Sequence, residues 1–331
     1  MTRIFLTHTP RAREAYYGDR ALQALRQLGD LAINPDEDPL SDPARLIAAA
    51  AGAQIIVAAR HTPIPAAVFA GMPDLLAVCR VAVDISTIDV EAASQHGVLV
   101  TRASAGFVAA VAELGLGFMI DLARGVSTTV EAYRAGLAPT IRRGRQLQGA
   151  TLGIIGYGAI GRRLAELGLA LGMTVIVNDP YAEPTPSVQT ATFPALLEAA
   201  DFVICLALST PETQNLMDDD AFTRMRRGAF FINLSRGGLV DEAALERALQ
   251  TGRLGGVAMD VGRAADEMPS LHLAGRPDVL ATPHIGGLTQ EAVDHQAFDS
   301  VKQVTEIIRG QVPPGAVNAA AARRLFPGGE R

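Results

Sequence analysis

The sequence predicts an α/β protein of two doubly wound parallel-sheet domains, one of them inserted into the other. Three observations predict it. Short apolar runs alternate with helix-like stretches along the chain, the pattern of parallel strands joined by crossover helices. A glycine turn, Gly156-Tyr157-Gly158-Ala159-Ile160-Gly161, lies between an apolar run and an amphipathic stretch near the middle. The 331 residues are too many for one typical domain and suit two.

Taken in order, residues 4–7, 54–59, 75–79 and 98–101 read as strands, with helices at 21–28, 42–51 and 88–95 between them. Residues 1–101 therefore form a first domain. A long apolar helix at 106–124 opens the second, assigned to 102–287. Its strands read as 151–155, 174–178, 202–206, 229–233, 256–259 and 279–281, and six is the complement of a complete dinucleotide-binding sheet. The closing helix, 288–309, has no surface to pack on in that domain. It is assigned back to the first, which becomes discontinuous as 1–101 and 288–331.

Composition narrows the function. Nearly half of the chain (49%) is apolar, yet no run of membrane length lacks charge, since 107–123 carries Glu113 and Asp121. The N-terminus has no secretory pattern, so a soluble, cytoplasmic protein that does not engage a membrane is expected. The net charge of −6 is spread without a basic block, which argues against nucleic acid as a partner. Cys79 and Cys205 sit in apolar runs and read as buried thiols. The six histidines stand far apart, and no metal is expected.

The glycine turn has the context its chemistry requires. Gly156 permits a tight turn, Gly158 lets backbone approach a pyrophosphate, and Gly161 lets helix pack on strand, while the helix start offers free N–H groups. Asp179, 18 residues past Gly161, ends the next strand, where a carboxylate accepts from ribose hydroxyls and repels a 2′-phosphate. No arginine follows in Asn178-Asp179-Pro180-Tyr181. The second domain thus reads as a Rossmann-like domain for NAD(H), preferred over NADP(H).

A hydride-transfer site for a small oxygen-bearing anion takes a cation to hold the anion, an acid or base for the oxygen and a group to tune it. Arg236 follows a strand in Asn233-Leu234-Ser235-Arg236-Gly237-Gly238, and guanidinium suits a carboxylate. His284 follows another in Thr282-Pro283-His284-Ile285-Gly286-Gly287 and ionises near neutrality. Asp266-Glu267 supplies carboxylates downstream of Asp260, and one beside an imidazole fixes its tautomer and favours its charged form.

In this order, these stretches resemble the D-isomer-specific 2-hydroxyacid dehydrogenase family, which includes 3-phosphoglycerate dehydrogenase and glyoxylate/hydroxypyruvate reductase-like enzymes. The likeness runs from Ala59-Arg60 through Val111-Ala112-Glu113 and Thr210-Pro211-Glu212-Thr213 to Ala258-Met259-Asp260-Val261 and 282–287. It implies hydride transfer between nicotinamide and C2 of a small D-2-hydroxy or 2-oxo acid. It also implies that Arg236 holds the substrate, His284 is the acid/base, and Asp266 or Glu267 polarises it. Asp260 matches an aspartate that contacts the nicotinamide amide. Leu234, Ser235 and Arg236 with His284, Gly286 and Gly287 match cofactor-lining segments. Arg60 matches a residue that touches the substrate's far end in some members, and Val83 and Asp84 lie in the substrate loop. A homodimer through the cofactor domain, including the 106–124 helix, is implied as well.

Two departures from the family pattern stand out. The usual Glu-Pro step after the nicotinamide-contacting aspartate would place glutamate at Ala265, so a loop of altered length must deliver Asp266 or Glu267, the smaller shift favouring Asp266. Asp84 replaces a glycine of the substrate loop; turned inward it would repel an anion, turned outward it would cap a turn. The rival readings are an NAD(H)-sensing interaction protein and a formate- or phosphite-type dehydrogenase on the same scaffold.

Overall fold

A computed structural model describes residues 1–183 and 185–326; the side chain of Asp266 is outside the description. It divides into two compact units, one made of Met1–Phe107 with the chain from Leu288 onward, the other of Val108–Gly287. Every strand pairing in both is parallel.

The first unit carries β1 (Arg3–Leu6), β2 (Asp30–Ile33), β3 (Ile55–Ala58), β4 (Ala77–Arg80) and β5 (Leu99–Arg102), in the order β2-β1-β3-β4-β5. β3 and β4 are buried along their length, which is why they read as unbroken apolar runs. The edge strand β2 begins with an exposed aspartate and is only half buried after it, so its pattern is too weak to separate from the preceding helix. Helix Pro10–Tyr16 is capped by the Thr9 hydroxyl with Pro at its first position, and Asp42 with Pro43 repeats the device for helix Pro43–Ala49. Helix Gln290–Ile308, capped by Thr289, buries Ala297, Val304 and Ile307 against Ile4, Leu6, Ile55 and Val57. That apolar face gives the C-terminal segment its place on the first sheet.

The second unit carries β6 (Thr151–Ile155), β7 (Thr174–Asn178), β8 (Gln189–Thr190), β9 (Phe202–Cys205), β10 (Ala229–Asn233), β11 (Leu254–Met259) and β12 (Val279–Ala281). Their order is β12-β11-β10-β9-β6-β7-β8, one strand more than the sequence suggests. The addition is β8, two exposed residues at the sheet edge with no apolar signal to read. Strand order reverses between β6 and β9, so their carboxyl ends flank the crevice where open α/β sheets bind ligands. Helix Val108–Arg124 covers the sheet through Val111, Ala112, Phe118 and Met119, and Gly115 lets Leu234 approach to where a Cβ would lie 3.0 Å from Leu234 Cδ1. No helix among the described residues is long and apolar enough to cross a membrane.

Candidate active site

The glycine turn closes the carboxyl end of β6 at the order reversal. Gly156 has φ +96°, and a Cβ there would lie 2.6 Å from the Ala207 backbone N just past β9. A Cβ on Gly161 would lie 2.3 Å from the Gly156 carbonyl, so only glycine lets the helix seat so tightly. Gly158, by contrast, has no atom within 4 Å of where its Cβ would be. It is the N-cap of helix Ala159–Ala170 and has no side-chain cap, which leaves the first turn without a capping side chain at an exposed Gly158-Ala159 step. Ile160 is half buried.

Asp179 stands beside this turn. Its Oδ2 accepts from the Tyr157 backbone N at 2.7 Å, and Oδ1 accepts from Tyr181 N at 2.8 Å and Ala182 N at 3.1 Å. The Tyr157 ring is buried beneath the Arg162 guanidinium, 4.6 Å from its centroid. An uncapped helix start, an open glycine and a fixed carboxylate at one end of the sheet fit a dinucleotide's pyrophosphate and ribose.

Past β10, buried Asn233 shapes the segment that carries Arg236. Its amide nitrogen donates to the Arg236 carbonyl at 3.0 Å and its oxygen accepts from Ser235 N at 3.1 Å. The Ser235 hydroxyl donates to the Ala207 carbonyl, joining this segment to the end of β9, and Leu234 is buried. Arg236 Nη1 donates to the Ser235 carbonyl at 2.8 Å, and its Nε lies 3.1 Å from Glu267 Oε1. The other oxygen of Glu267 lies 3.8 Å from His284 Nδ1. Arg236, Glu267 and His284 therefore converge on one carboxylate although 31 and 17 residues separate them in turn.

Both Glu267 and His284 are held in a costly backbone conformation. Glu267 has φ +58° and His284 φ +56°. A non-glycine residue there stores about 1–3 kcal/mol and persists only when its surroundings over-determine it. For His284 the surroundings are Asp260, which is 3% exposed. Its Oδ1 accepts from Thr282 Oγ1 at 2.6 Å and Ile285 N at 2.8 Å, and its Oδ2 accepts from Gly286 N at 2.7 Å. The 282–286 turn wraps this carboxylate, and a Cβ on Gly286 would lie 2.8 Å from Asp260 Oδ2. Gly287 ends the unit. The expectation favouring Asp266 concerns a side chain outside the described residues; among the described residues Glu267, two places past the family's usual position, stands beside Arg236 and His284. A recess of about 410 Å³ opens beside them, with Ser209, Arg236, Gly238 and Glu267 in its walls.

Arg60, Val83 and Asp84 belong to the first unit. Arg60 and Val83 are half buried and Asp84 is exposed. Asp84 Oδ1 accepts from Ser86 N at 2.8 Å, so the carboxylate caps its own turn. Sequence reading missed the residue that joins these loops, Arg80, at the end of β4. Fully buried, it donates to the carbonyls of Ala59, Arg60 (3.0 Å) and Thr62 (3.0 Å) and to Thr87 Oγ1 (2.9 Å). Burial lowers its pKa to about 10 against the opposing pull of Asp84, so it remains a cation at neutral pH. The available signal was a single cation closing an otherwise apolar strand. Cys79 and Cys205 are buried, and desolvation pushes each thiol up to about 12, which leaves them unreactive. Among the described residues no cluster of His, Cys, Asp and Glu could hold a metal ion.

Residues 116–286 match the family model described as D-isomer specific 2-hydroxyacid dehydrogenase, NAD binding domain. The chain belongs to that family. It is 33% identical over 310 residues to D-3-phosphoglycerate dehydrogenase 2, chloroplastic, of Arabidopsis thaliana, covering 91% of this chain and 49% of that one. It is 33% identical over 281 residues to (S)-sulfolactate dehydrogenase of Chromohalobacter salexigens, covering 83% and 91%. The chain thus spans about half of the plant relative and most of the bacterial one. Among solved structures it resembles the TT0316 protein of Thermus thermophilus, with a TM-score of 0.85, 31% identity and coverage of 96% and 100%.

Proposed function

We propose that this protein is an NAD-dependent oxidoreductase that transfers a hydride between nicotinamide and C2 of a small D-2-hydroxy or 2-oxo acid. The observation that carries the reading is the line Arg236–Glu267–His284, with Glu267 3.1 Å from the guanidinium and 3.8 Å from the imidazole. Bound nicotinamide supplies the hydride chemistry that no side chain can. The chain supplies the rest. The first-turn N–H groups after Gly158 hold the pyrophosphate, and Asp179 accepts from the ribose hydroxyls.

Arg236 grips the substrate carboxylate and carbonyl, which fixes C2 and stabilises negative charge on the oxygen. Protonated His284 gives its proton to that oxygen in reduction and takes it back in oxidation. Glu267 orients both through one carboxylate, and Asp260 holds the turn that presents the imidazole. In the first unit, Arg60, Val83 and Asp84 are the proposed contacts for the rest of the substrate. NAD(H) is favoured over NADP(H) because Asp179 would face a 2′-phosphate with like charge.

The names of two relatives, dehydrogenases of 3-phosphoglycerate and sulfolactate, support a short substrate that carries a second anionic group. A cytoplasmic homodimer through the second unit is part of the same proposal. It is supported by the exposed apolar side chains Ile120, Val126, Val130 and Tyr133 along helices Val108–Arg124 and Val126–Arg134. Sedimentation at micromolar concentration tests it.

The activity is tested by following NADH absorbance against glyoxylate, hydroxypyruvate, pyruvate, 2-oxoglutarate and 3-sulfopyruvate. Turnover with at least one acid is expected. Tight NADH binding with no turnover across the panel overturns the reading in favour of a cofactor-sensing interaction protein.

A further inference from the structure

Glu267 sits in a loop that is closed on itself. Gly262 N donates to the Glu267 carbonyl at 2.8 Å, Ala264 N to the Met268 carbonyl at 3.0 Å, and Met268 N to the Ala265 carbonyl at 3.2 Å. These bonds shape the loop but do not attach it to the segment bearing Arg236. Besides the Glu267–Arg236 contact itself, the side chain of Arg263 does. Arg263 Nε donates to the Val240 carbonyl at 3.0 Å, and its Nη2 donates to the carbonyls of Val240 (2.8 Å) and Gly238 (3.1 Å) and to Asn215 Oδ1. Its backbone N donates to Glu242 Oε1 at 3.2 Å.

The guanidinium therefore bonds carbonyls that lie two and four residues after Arg236. The two backbones also touch directly, since a Cβ on Gly237 would lie 2.1 Å from the Gly262 carbonyl. Asn215 N donates to the Gly238 carbonyl at 2.9 Å and so closes the other side of the joint.

We propose that Arg263 is a positioning residue: its guanidinium sets the Glu267 loop against the Arg236 segment and so fixes the carboxylate between Arg236 and His284. The proposal rests on the reading of Glu267 given above. Glu267 is half-buried and its backbone is strained, so a loop released at Arg263 relaxes φ and withdraws the carboxylate from both partners. Lysine cannot replace Arg263 fully, because one ammonium does not present the planar fork that reaches Val240, Gly238 and Asn215 together.

A double-mutant cycle tests this, using Arg263→Met, Glu267→Gln and both together, assayed with NADH and the fastest acid of the panel. Arg263→Met is expected to lower kcat by about 10- to 100-fold, the penalty of misplacing a catalytic group by roughly 1 Å. NADH affinity by fluorescence should be unchanged, and Arg263→Lys should recover part of the loss. In the Glu267→Gln background, Arg263→Met should lower kcat no further, because the carboxylate through which it acts is already gone. Independent losses that multiply, or wild-type kcat in Arg263→Met, overturn the proposal while leaving the role of Glu267 intact. Wild-type kcat in Glu267→Gln overturns the reading of Glu267 and this proposal with it. If Arg263→Met does not fold, Asn215→Gly, which keeps the left-handed backbone but removes the amide acceptor, serves in the same cycle with the same outcomes.

Discussion

Asp260→Asn is the sharpest structural perturbation of the site, because one atom changes inside a closed set of bonds. The carboxylate accepts from Thr282 Oγ1 and Ile285 N on Oδ1 and from Gly286 N on Oδ2. An asparagine keeps most of them by leaving its oxygen at the Oδ1 position, which sets its amide donor against the Gly286 N–H. One charge-assisted hydrogen bond is lost, about 1.5–3 kcal/mol, and a buried donor is left unmet, about 1–3 kcal/mol. The second unit should therefore lose about 2.5–6 kcal/mol. With a slope of about 2 kcal/mol per molar urea, its unfolding midpoint falls by about 2 M. The same change frees the 282–286 turn, so His284 should leave its φ of +56° and kcat should fall together with stability. A loss below about 1 kcal/mol, or wild-type kcat in a destabilised protein, would refute the assignment of Asp260 as the support of the His284 turn.

Asp179→Ala removes the carboxylate beside the glycine turn; NADH should bind about 10- to 100-fold more weakly while NADPH improves relative to it, read as the ratio of their KM values. An unchanged ratio would dissociate Asp179 from cofactor choice. His8 is buried, and desolvation, helped by Arg80 and Arg13, pushes its pKa down to about 3 from the 6.5 of an accessible histidine. Between those values the unfolded chain binds a proton that the folded one refuses, so stability is full above pH 6.5 and falls with acid by about 1.4 kcal/mol per pH unit. His8→Phe, which keeps a ring 5.1 Å from Tyr17, should flatten that acid dependence between about pH 7 and 5 in urea unfolding. An equally steep profile in the variant would place the acid sensitivity elsewhere.

The parallel strands and the glycine turn were legible because burial on both faces writes continuous apolar runs, and because a pyrophosphate-binding turn needs glycine at fixed spacing. Edge strands β2 and β8 were not, since a half-exposed edge need not be apolar. Arg236 and His284 could be picked out from their places just past strands. The closed 262–268 loop, whose length no local pattern of residues announces, is what brings Glu267 beside Arg236 and His284, while the side chain of Asp266 lies outside the described residues. Asp260 reads as a cofactor contact from family resemblance, and its bonds within the fold to Thr282, Ile285 and Gly286 left no mark in the sequence. Arg80 and Arg263 were missed for a shared reason: each donates chiefly to backbone carbonyls distant in sequence, and such partners leave no mark on the residues that carry them.

In the proposed mechanism the imidazole of His284, opposite Arg236 on the Glu267 carboxylate, moves the proton of the reaction. His284→Ala, measured for kcat and for NADH affinity on the same preparation, tests this step. A fall in kcat of about 10²- to 10⁴-fold is expected, with NADH affinity unchanged. Wild-type turnover with every acid that the parent protein reduces would contradict it.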